Sequence, residues 1–185
     1  EASRFEISPD LPLIAGHQFR KAPAKEDSIF HFAFADTEPD GWGCRVIARD
    51  HARRRKAAQA AGEPVQSASL TEMDYLLGVD DMSRIGAIRL MDDRGRFLRS
   101  REEDGRGTPP LLELAQLMAA TRAVEMNRET EADLRYLRGR GTSLGGLRPK
   151  CTLVDEDGHL AIGKFPSVKD DRSVTRGEVL ALRLA

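Results

Sequence analysis

The sequence predicts an α+β fold in which several helices come before a single β-hairpin. Apolar residues recur at helical spacing in several segments between residues 41 and 137. Further along, two short apolar runs, Cys151–Val154 and Leu160–Ile162, flank an acidic turn that ends in Gly158. The stretch from Gly139 to Gly146 contains four glycines and lies directly before this hairpin, which indicates a flexible loop leading into it.

The composition of the chain excludes several classes of protein. Its 29 basic and 30 acidic residues nearly cancel, so no overall attraction to nucleic acid or to a membrane is expected. No apolar run approaches the ~20 residues of a membrane span, and no leader pattern opens the chain, so we expect a cytoplasmic protein. Cys44 and Cys151 have no metal or redox spacing, which favours two reduced thiols. Since the chain starts with Glu1 and a predicted helix from Val174 runs to Ala185, we expect it to be part of a longer protein.

The first 40 residues are predicted to be irregular, because prolines interrupt them repeatedly. Their one strong apolar run, Ile29–Phe34, is predicted to be a buried strand or a short core helix. His31 lies within that run without a partner motif, so we expect it to pack in the core rather than to act as a ligand or base.

A long helix is predicted from Gly41 to Ala61, with Asp40 as a candidate N-cap. Arg45, Arg49 and Arg53 recur every four residues and therefore share one face of this helix. That face could contact a nucleic acid or an acidic partner, or it could simply be solvated. We favour the solvated face, because no aromatic residues are interleaved with the arginines.

A short helix and a hairpin are predicted next. Ser69 or Thr71 can cap the helix, which Gly78 ends. Two strands, 85–90 and 97–98, are predicted on either side of an Asp-Asp-Arg-Gly turn. The charged residues that follow are predicted to form an exposed linker, because they lack apolar periodicity.

Two further helices are predicted before the glycine-rich loop. Thr108 is a suitable N-cap for the first, with Pro109 in its first turn. The second runs from about residue 129 to residue 137. The apolar stripes of these helices are predicted to pack in a core or between domains, and they comprise Leu111, Leu112, Leu114, Leu117 and Met118 in the first helix and Leu134 and Leu137 in the second.

The glycine-rich loop and the lysine at the end of the hairpin suggest phosphate binding. Small loop residues such as Gly141, Gly145 and Gly146 let backbone N–H groups approach an anion, and Lys164 can add a point charge. The pattern is neither a Walker A motif nor a dinucleotide fingerprint, because it lacks Gly-Lys-Ser/Thr and runs from helix to loop to strand. That order is typical of the nucleotide lobe of protein kinases. A glycine-rich turn that is only a connection remains the alternative.

Several segments of the chain resemble one family. The nine residues Thr142–Lys150 read Thr-Ser-Leu-Gly-Gly-Leu-Arg-Pro-Lys, Lys164–Ser167 read Lys-Phe-Pro-Ser, and a predicted helix with Glu178 follows. Together with the upstream stretches Pro39–Arg45 and Asp74–Val79, they resemble the HipA-like serine/threonine kinases of bacterial toxin–antitoxin modules. The resemblance implies an N-terminal α+β subdomain over 1–107, linking helices over 108–138, and the beginning of a protein-kinase-like small lobe over 139–185. It also implies that the C-terminal lobe lies outside this chain.

The resemblance also implies roles for individual residues. Lys164 and Glu178 would be the catalytic ion pair, and Ser143 would be an autophosphorylation site that switches the kinase off. A serine in a turn that bonds to its own backbone is the alternative for Ser143. Arg148 could contact phosphates or be solvated. The residues implied to bind ATP are Gly141, Ser143, Leu144, Gly145, Gly146, Lys150 and Lys164, and Mg²⁺ ligands are not expected within this chain.

The whole protein would then transfer the γ-phosphate of ATP to a serine or threonine of a cellular protein. In related systems that protein is an aminoacyl-tRNA synthetase, and a DNA-binding antitoxin neutralises the kinase, so DNA contact would be indirect. The chain by itself would be inactive, because the acceptor-orienting acid and the Mg²⁺ ligands belong to the C-terminal lobe. Two other interpretations are a non-catalytic regulatory or antitoxin-like module and an unrelated α+β protein whose hairpin lysine is accidental.

Overall fold

Six helices and one antiparallel β-hairpin make up the described part of the chain, which confirms the predicted α+β class. The computed structural model describes residues 6–20, 28–39, 41–98, 113–138 and 146–185. The elements in chain order are α1 (Phe32–Ala35), α2 (Gly41–Ala61), α3 (Glu72–Gly78), α4 (Leu114–Glu125), α5 (Glu131–Leu137), β1 (Lys150–Val154), β2 (Leu160–Lys164) and α6 (Val174–Leu184). None of these helices combines the length and the apolar character that crossing a bilayer requires. Two predictions lie outside the described residues. They are the N-cap Asp40 and the segment 99–112, which covers the predicted linker and the start of the helix that follows it.

One hydrophobic core joins the helices to the hairpin. Its buried members come from α2, α4, α5 and the hairpin and are Trp42, Val46, Leu117, Ala120, Val124, Leu134, Leu137, Cys151, Leu153 and Phe165. Leu114 packs against this core, whereas Met118 is half exposed and lies off the buried stripe of α4. Residues from all three predicted domains contribute to this core, so those segments pack together. The division into domains remains a prediction.

The helix ends follow from local side-chain chemistry. Of the two candidate caps for α3, Thr71 is the one that caps it, because its hydroxyl accepts a hydrogen bond from the Asp74 N–H and the Asp74 carboxylate accepts one from the Thr71 N–H. The N–H of Thr71 is also the main reason that the pKa of Asp74 is lowered. The same reciprocal pair, Thr130 and Asp133, starts α5 two residues later than predicted.

The predicted second hairpin is present only as a turn. The carboxylate of Asp92 accepts hydrogen bonds from the N–H groups of Arg94 and Arg96, but the flanking segments meet in a single bridge between Met91 and Phe97. The prediction of strands at 85–90 and 97–98 is therefore wrong. Gly86 has a φ of 90°, which interrupts an extended strand near its start, and the chain from residue 85 to residue 91 has no buried side chain that would hold a strand against the core.

The apolar run Ile29–Phe34 is not buried as predicted. It leads into the single-turn helix α1, which has no buried residue, and the side chains of Ile29 and Phe32 are half exposed. A four-residue helix has too little surface to bury such a run. His31 does not pack in the core either, since its Nδ1 lies 3.3 Å from a carboxylate oxygen of Asp10.

The arginine face of α2 packs against another part of the chain, so the prediction of a merely solvated face is wrong for two of its residues. The guanidinium of Arg49 donates to the Glu129 carboxylate at 2.6 Å and also contacts the side chain of Asn127. Arg53 donates to the backbone carbonyl of Glu129. These two arginines therefore hold the connection between α4 and α5 against α2. The periodicity of α2 could not reveal these contacts, because the groups that accept the hydrogen bonds lie about 80 residues further along the chain.

Candidate functional site

The hairpin places two lysines opposite each other at its open end. In the antiparallel register, Lys150 of β1 pairs with Lys164 of β2, and directly opposed residues project from the same face of a sheet. On the other face, Cys151 and Leu153 are buried in the core. Two like charges in opposed positions destabilise a hairpin. A negative charge near the pair would offset this repulsion, and the two lysines differ in exposure, since Lys150 is buried and Lys164 is exposed.

Glu178 supplies one negative charge to this pair. Its Oε2 lies 2.9 Å from the Nζ atom of Lys164, so the salt bridge expected between these two residues is present. Glu178 lies in the second turn of α6, and the loop that precedes α6 turns the helix back towards β2. Both side chains are partly exposed, at 54% for Lys164 and 40% for Glu178, so the pair is open to solvent and to a ligand.

The lysines border a small cleft. Its volume is about 100 Å³, and it is lined by Arg148, Pro149, Lys150, Lys164, Phe165, Val174, Thr175 and Glu178. Three of these side chains are basic and one is acidic, and the first turn of α6 adds the positive end of a helix dipole. Pockets that enclose a whole small molecule measure ~300–1,000 Å³, so this cleft has room for a phosphate group rather than for a complete nucleotide.

The end of the glycine-rich loop contacts the start of α2. The Trp42 N–H donates to the Gly146 carbonyl at 3.2 Å, and a β-carbon on Gly41 would overlap the Leu147 side chain. Gly146 has a φ of 98°, and a β-carbon there would lie 2.5 Å from the Nζ atom of Lys150. The backbone angle therefore favours glycine at position 146, and the flexible end of Lys150 fills the space where a β-carbon would lie.

Arg148 is bound to Asp170, and its side chain remains 44% exposed. Its two terminal nitrogens lie 3.1 and 2.5 Å from the two carboxylate oxygens. The hydrogen bonds from Arg148 are the main reason that the pKa of Asp170 is lowered, and the same contact raises the pKa of Arg148. Sequence reasoning missed Asp170, because no motif signals a pair 22 residues apart.

Of the residues predicted to form the site, four are brought together and four cannot be placed. Lys150, Lys164 and Glu178 line the cleft, and Gly146 lies against Lys150. Gly141, Ser143, Leu144 and Gly145 lie outside the described residues. Their roles, including phosphorylation of Ser143, remain predictions.

An acidic group at the other end of the hairpin is explained by the turn. Ligand atoms of Asp155, Asp157 and His159 lie within 4.8 Å of one another. The carboxylate of Asp155 accepts hydrogen bonds from the N–H groups of Asp157 and His159, which is the usual way to close such a turn. At ~3.3 Å per residue along a strand, this turn is roughly 13 Å or more from the lysine pair, so it could not hold a metal ion at the cleft.

Comparisons of the chain with protein-family models, with curated proteins and with solved structures find no match.

Proposed function

We propose that this chain supplies the phosphate-binding part of a HipA-like serine/threonine protein kinase. The observation that carries the proposal is the strand lysine Lys164 in a salt bridge with the helix residue Glu178, beside the opposed Lys150 and the last glycine of the loop. In protein kinases, a strand lysine held by a helix glutamate positions the phosphates of ATP, and a glycine-rich loop covers them. The resemblance in sequence implied this ion pair, and the contact supports the same assignment.

In this proposal Lys164 and Lys150 bind the phosphates of ATP. Lysine suits this task because its ammonium group is a compact point charge that needs no fixed orientation. Glu178 keeps the ammonium of Lys164 beside the cleft until the phosphates arrive. The cleft holds only part of the nucleotide, so the base and ribose would bind to further surfaces of the whole protein.

Mg²⁺ would not be held by the cleft residues of this chain. Their one carboxylate, Glu178, already pairs with Lys164. When bound, Mg²⁺ neutralises charge that develops on the transferred phosphoryl group. We propose that its ligands and the acid that orients the acceptor hydroxyl belong to a C-terminal lobe, and that this chain alone is inactive.

The remaining parts of the proposal come from the resemblance. The acceptor would be a serine or threonine of a cellular protein, an aminoacyl-tRNA synthetase in related systems, and a DNA-binding antitoxin would be the partner in the cytoplasm. Ser143 would be the regulatory site. A phosphoryl group there would carry a charge of about −1.5 to −2 and would compete with the phosphates of ATP for the lysines.

The proposal is tested by an NMR titration of the chain with ATP and Mg²⁺, which detects even weak binding. We expect the amide signals of Gly146, Lys150 and Lys164 to shift, with affinity falling about tenfold or more in Lys164→Ala through loss of a charge-assisted contact. Lys169→Ala is the matched control, since that lysine is exposed and does not line the cleft. Equal affinities in the two variants, or no binding by the unaltered chain, would refute the proposal.

A non-catalytic interaction module is the alternative, and one observation favours it. Four apolar side chains of α6, Val179, Leu180, Leu182 and Leu184, are 52% to 79% exposed. Apolar side chains exposed together in this way are typical of a surface that another protein covers. If the titration shows no binding of ATP, this interpretation replaces the kinase.

A further inference from the structure

We infer that Arg148 and Asp170 form a clasp that positions the end of the glycine-rich loop beside Lys164, and that Arg148 is a positioning residue rather than a phosphate ligand. This inference rests on the proposed function, because it assigns a role within the same cleft. The term clasp refers here to these two residues alone.

The geometry of the clasp commits the guanidinium of Arg148 to Asp170. Two parallel contacts, 3.1 and 2.5 Å long, join the terminal nitrogens to the two carboxylate oxygens. A planar fork of this kind fixes direction as well as distance, which a lysine in the same position could not do. The side chain of Asp170 is only 10% exposed, so its orientation is set by its surroundings.

Asp170 is itself held by a turn that is anchored to the core helix α4. Its carboxylate accepts a hydrogen bond from the Ser167 N–H at 3.0 Å. The Ser167 hydroxyl donates to the Glu125 carboxylate at 2.6 Å, and the Val168 N–H donates to the same carboxylate at 2.9 Å. Glu125 is the last residue of α4, and Val124 beside it is buried in the core.

The clasp therefore joins two segments that carry the opposed lysines. Arg148 lies two residues before Lys150, and Asp170 lies six residues after Lys164. The Phe165 N–H also donates to the Pro149 carbonyl at 3.0 Å, which closes the base of the hairpin at the same place. Because the two segments are fixed in this way, the phosphate-binding groups are already ordered in the folded chain. The entropy cost of ordering them therefore does not reduce the affinity for a ligand.

A phosphate ligand and a positioning residue respond differently to loss of Asp170. If Arg148 bound phosphate, freeing it from its carboxylate would leave ATP affinity unchanged or raise it. If Arg148 positions the loop, loss of either partner should weaken binding in the same way, and loss of both should be no worse than loss of one.

The test uses Arg148→Gln, Asp170→Asn and the double variant, with ATP and Mg²⁺ as the probe. We expect each single change to weaken binding about three- to fivefold, as suits a partly exposed pair, and the double change to weaken it no further. Arg135→Gln is the control, because that arginine has a similar carboxylate partner on α5, Glu131, which is not part of the cleft. Circular dichroism establishes that each variant is folded.

Hydrogen exchange gives a second measurement that needs no ligand. We expect the amides of Gly146, Leu147, Arg148 and Lys150 to exchange faster in both single variants and at an unchanged rate in Arg135→Gln. Tighter or unchanged ATP binding in Asp170→Asn beside weaker binding in Arg148→Gln would overturn the inference, as would unchanged exchange in both. If the unaltered chain binds no ATP, the proposed function fails, whereas the exchange measurement still decides whether the clasp positions the loop.

Discussion

Truncating Phe165 to alanine should lower the free energy of unfolding by about 3–5 kcal/mol, the usual cost of removing a buried aromatic ring from a core. The side chain is 3% exposed and belongs to the core cluster, although it follows the exposed Lys164 directly. A β-carbon on Gly163 would lie 3.5 Å from the ring, so the ring covers a position that has no side chain of its own.

Urea unfolding followed by circular dichroism measures this loss. Phe165→Leu keeps most of the apolar volume and should cost about 1–1.5 kcal/mol. Phe19→Ala is the matched control, because Phe19 is 87% exposed and its loss should change stability by no more than about 0.5 kcal/mol. A loss below about 1 kcal/mol for Phe165→Ala, or one equal to that of Phe19→Ala, would refute the reasoning that the core continues beneath the hairpin.

Two further predictions concern buried polar groups. Arg49→Ala should lower the free energy of unfolding in urea by about 2–4 kcal/mol, because it leaves the Glu129 carboxylate, which is 7% exposed, without this partner. Adding Glu129→Gln to that variant should recover part of the loss. Equal stability of the single and double variants would contradict this. Burial raises the pKa of Cys151 from 9.0 to about 12, so above pH 9.0 the unfolded thiol loses its proton while the folded one keeps it. The free energy of unfolding should therefore fall as pH rises from 9.0 towards 12, and it should fall less in Cys151→Ala. An identical pH dependence in Cys151→Ala would show that another group is responsible. A thiol reagent should label the half-buried Cys44 well before the buried Cys151.

Elements governed by strong local signals were predicted correctly. The helix from Gly41 to Ala61 has its predicted bounds, because Gly62 adopts the left-handed conformation that ends a helix. The β-hairpin lies where two apolar runs flank the Asp155–Gly158 turn, and Cys44 and Cys151 are not joined in a disulfide. The failures at Ile29–Phe34 and at 85–90 have a common cause, since both segments have apolar residues but no buried surface to receive them.

The sequence alone determined the α+β class and the hairpin that ends in Lys164, because turn residues and apolar periodicity act over a few neighbouring residues. Glu178 was expected as the acidic partner of that lysine only through the family resemblance. Only the tertiary structure decided what lies across from each of these elements. It placed Lys150 opposite Lys164, bound Arg148 to Asp170, and set the start of α2 against Gly146. Contacts of this kind depend on how distant segments pack around one core, and no local pattern in the chain encodes them.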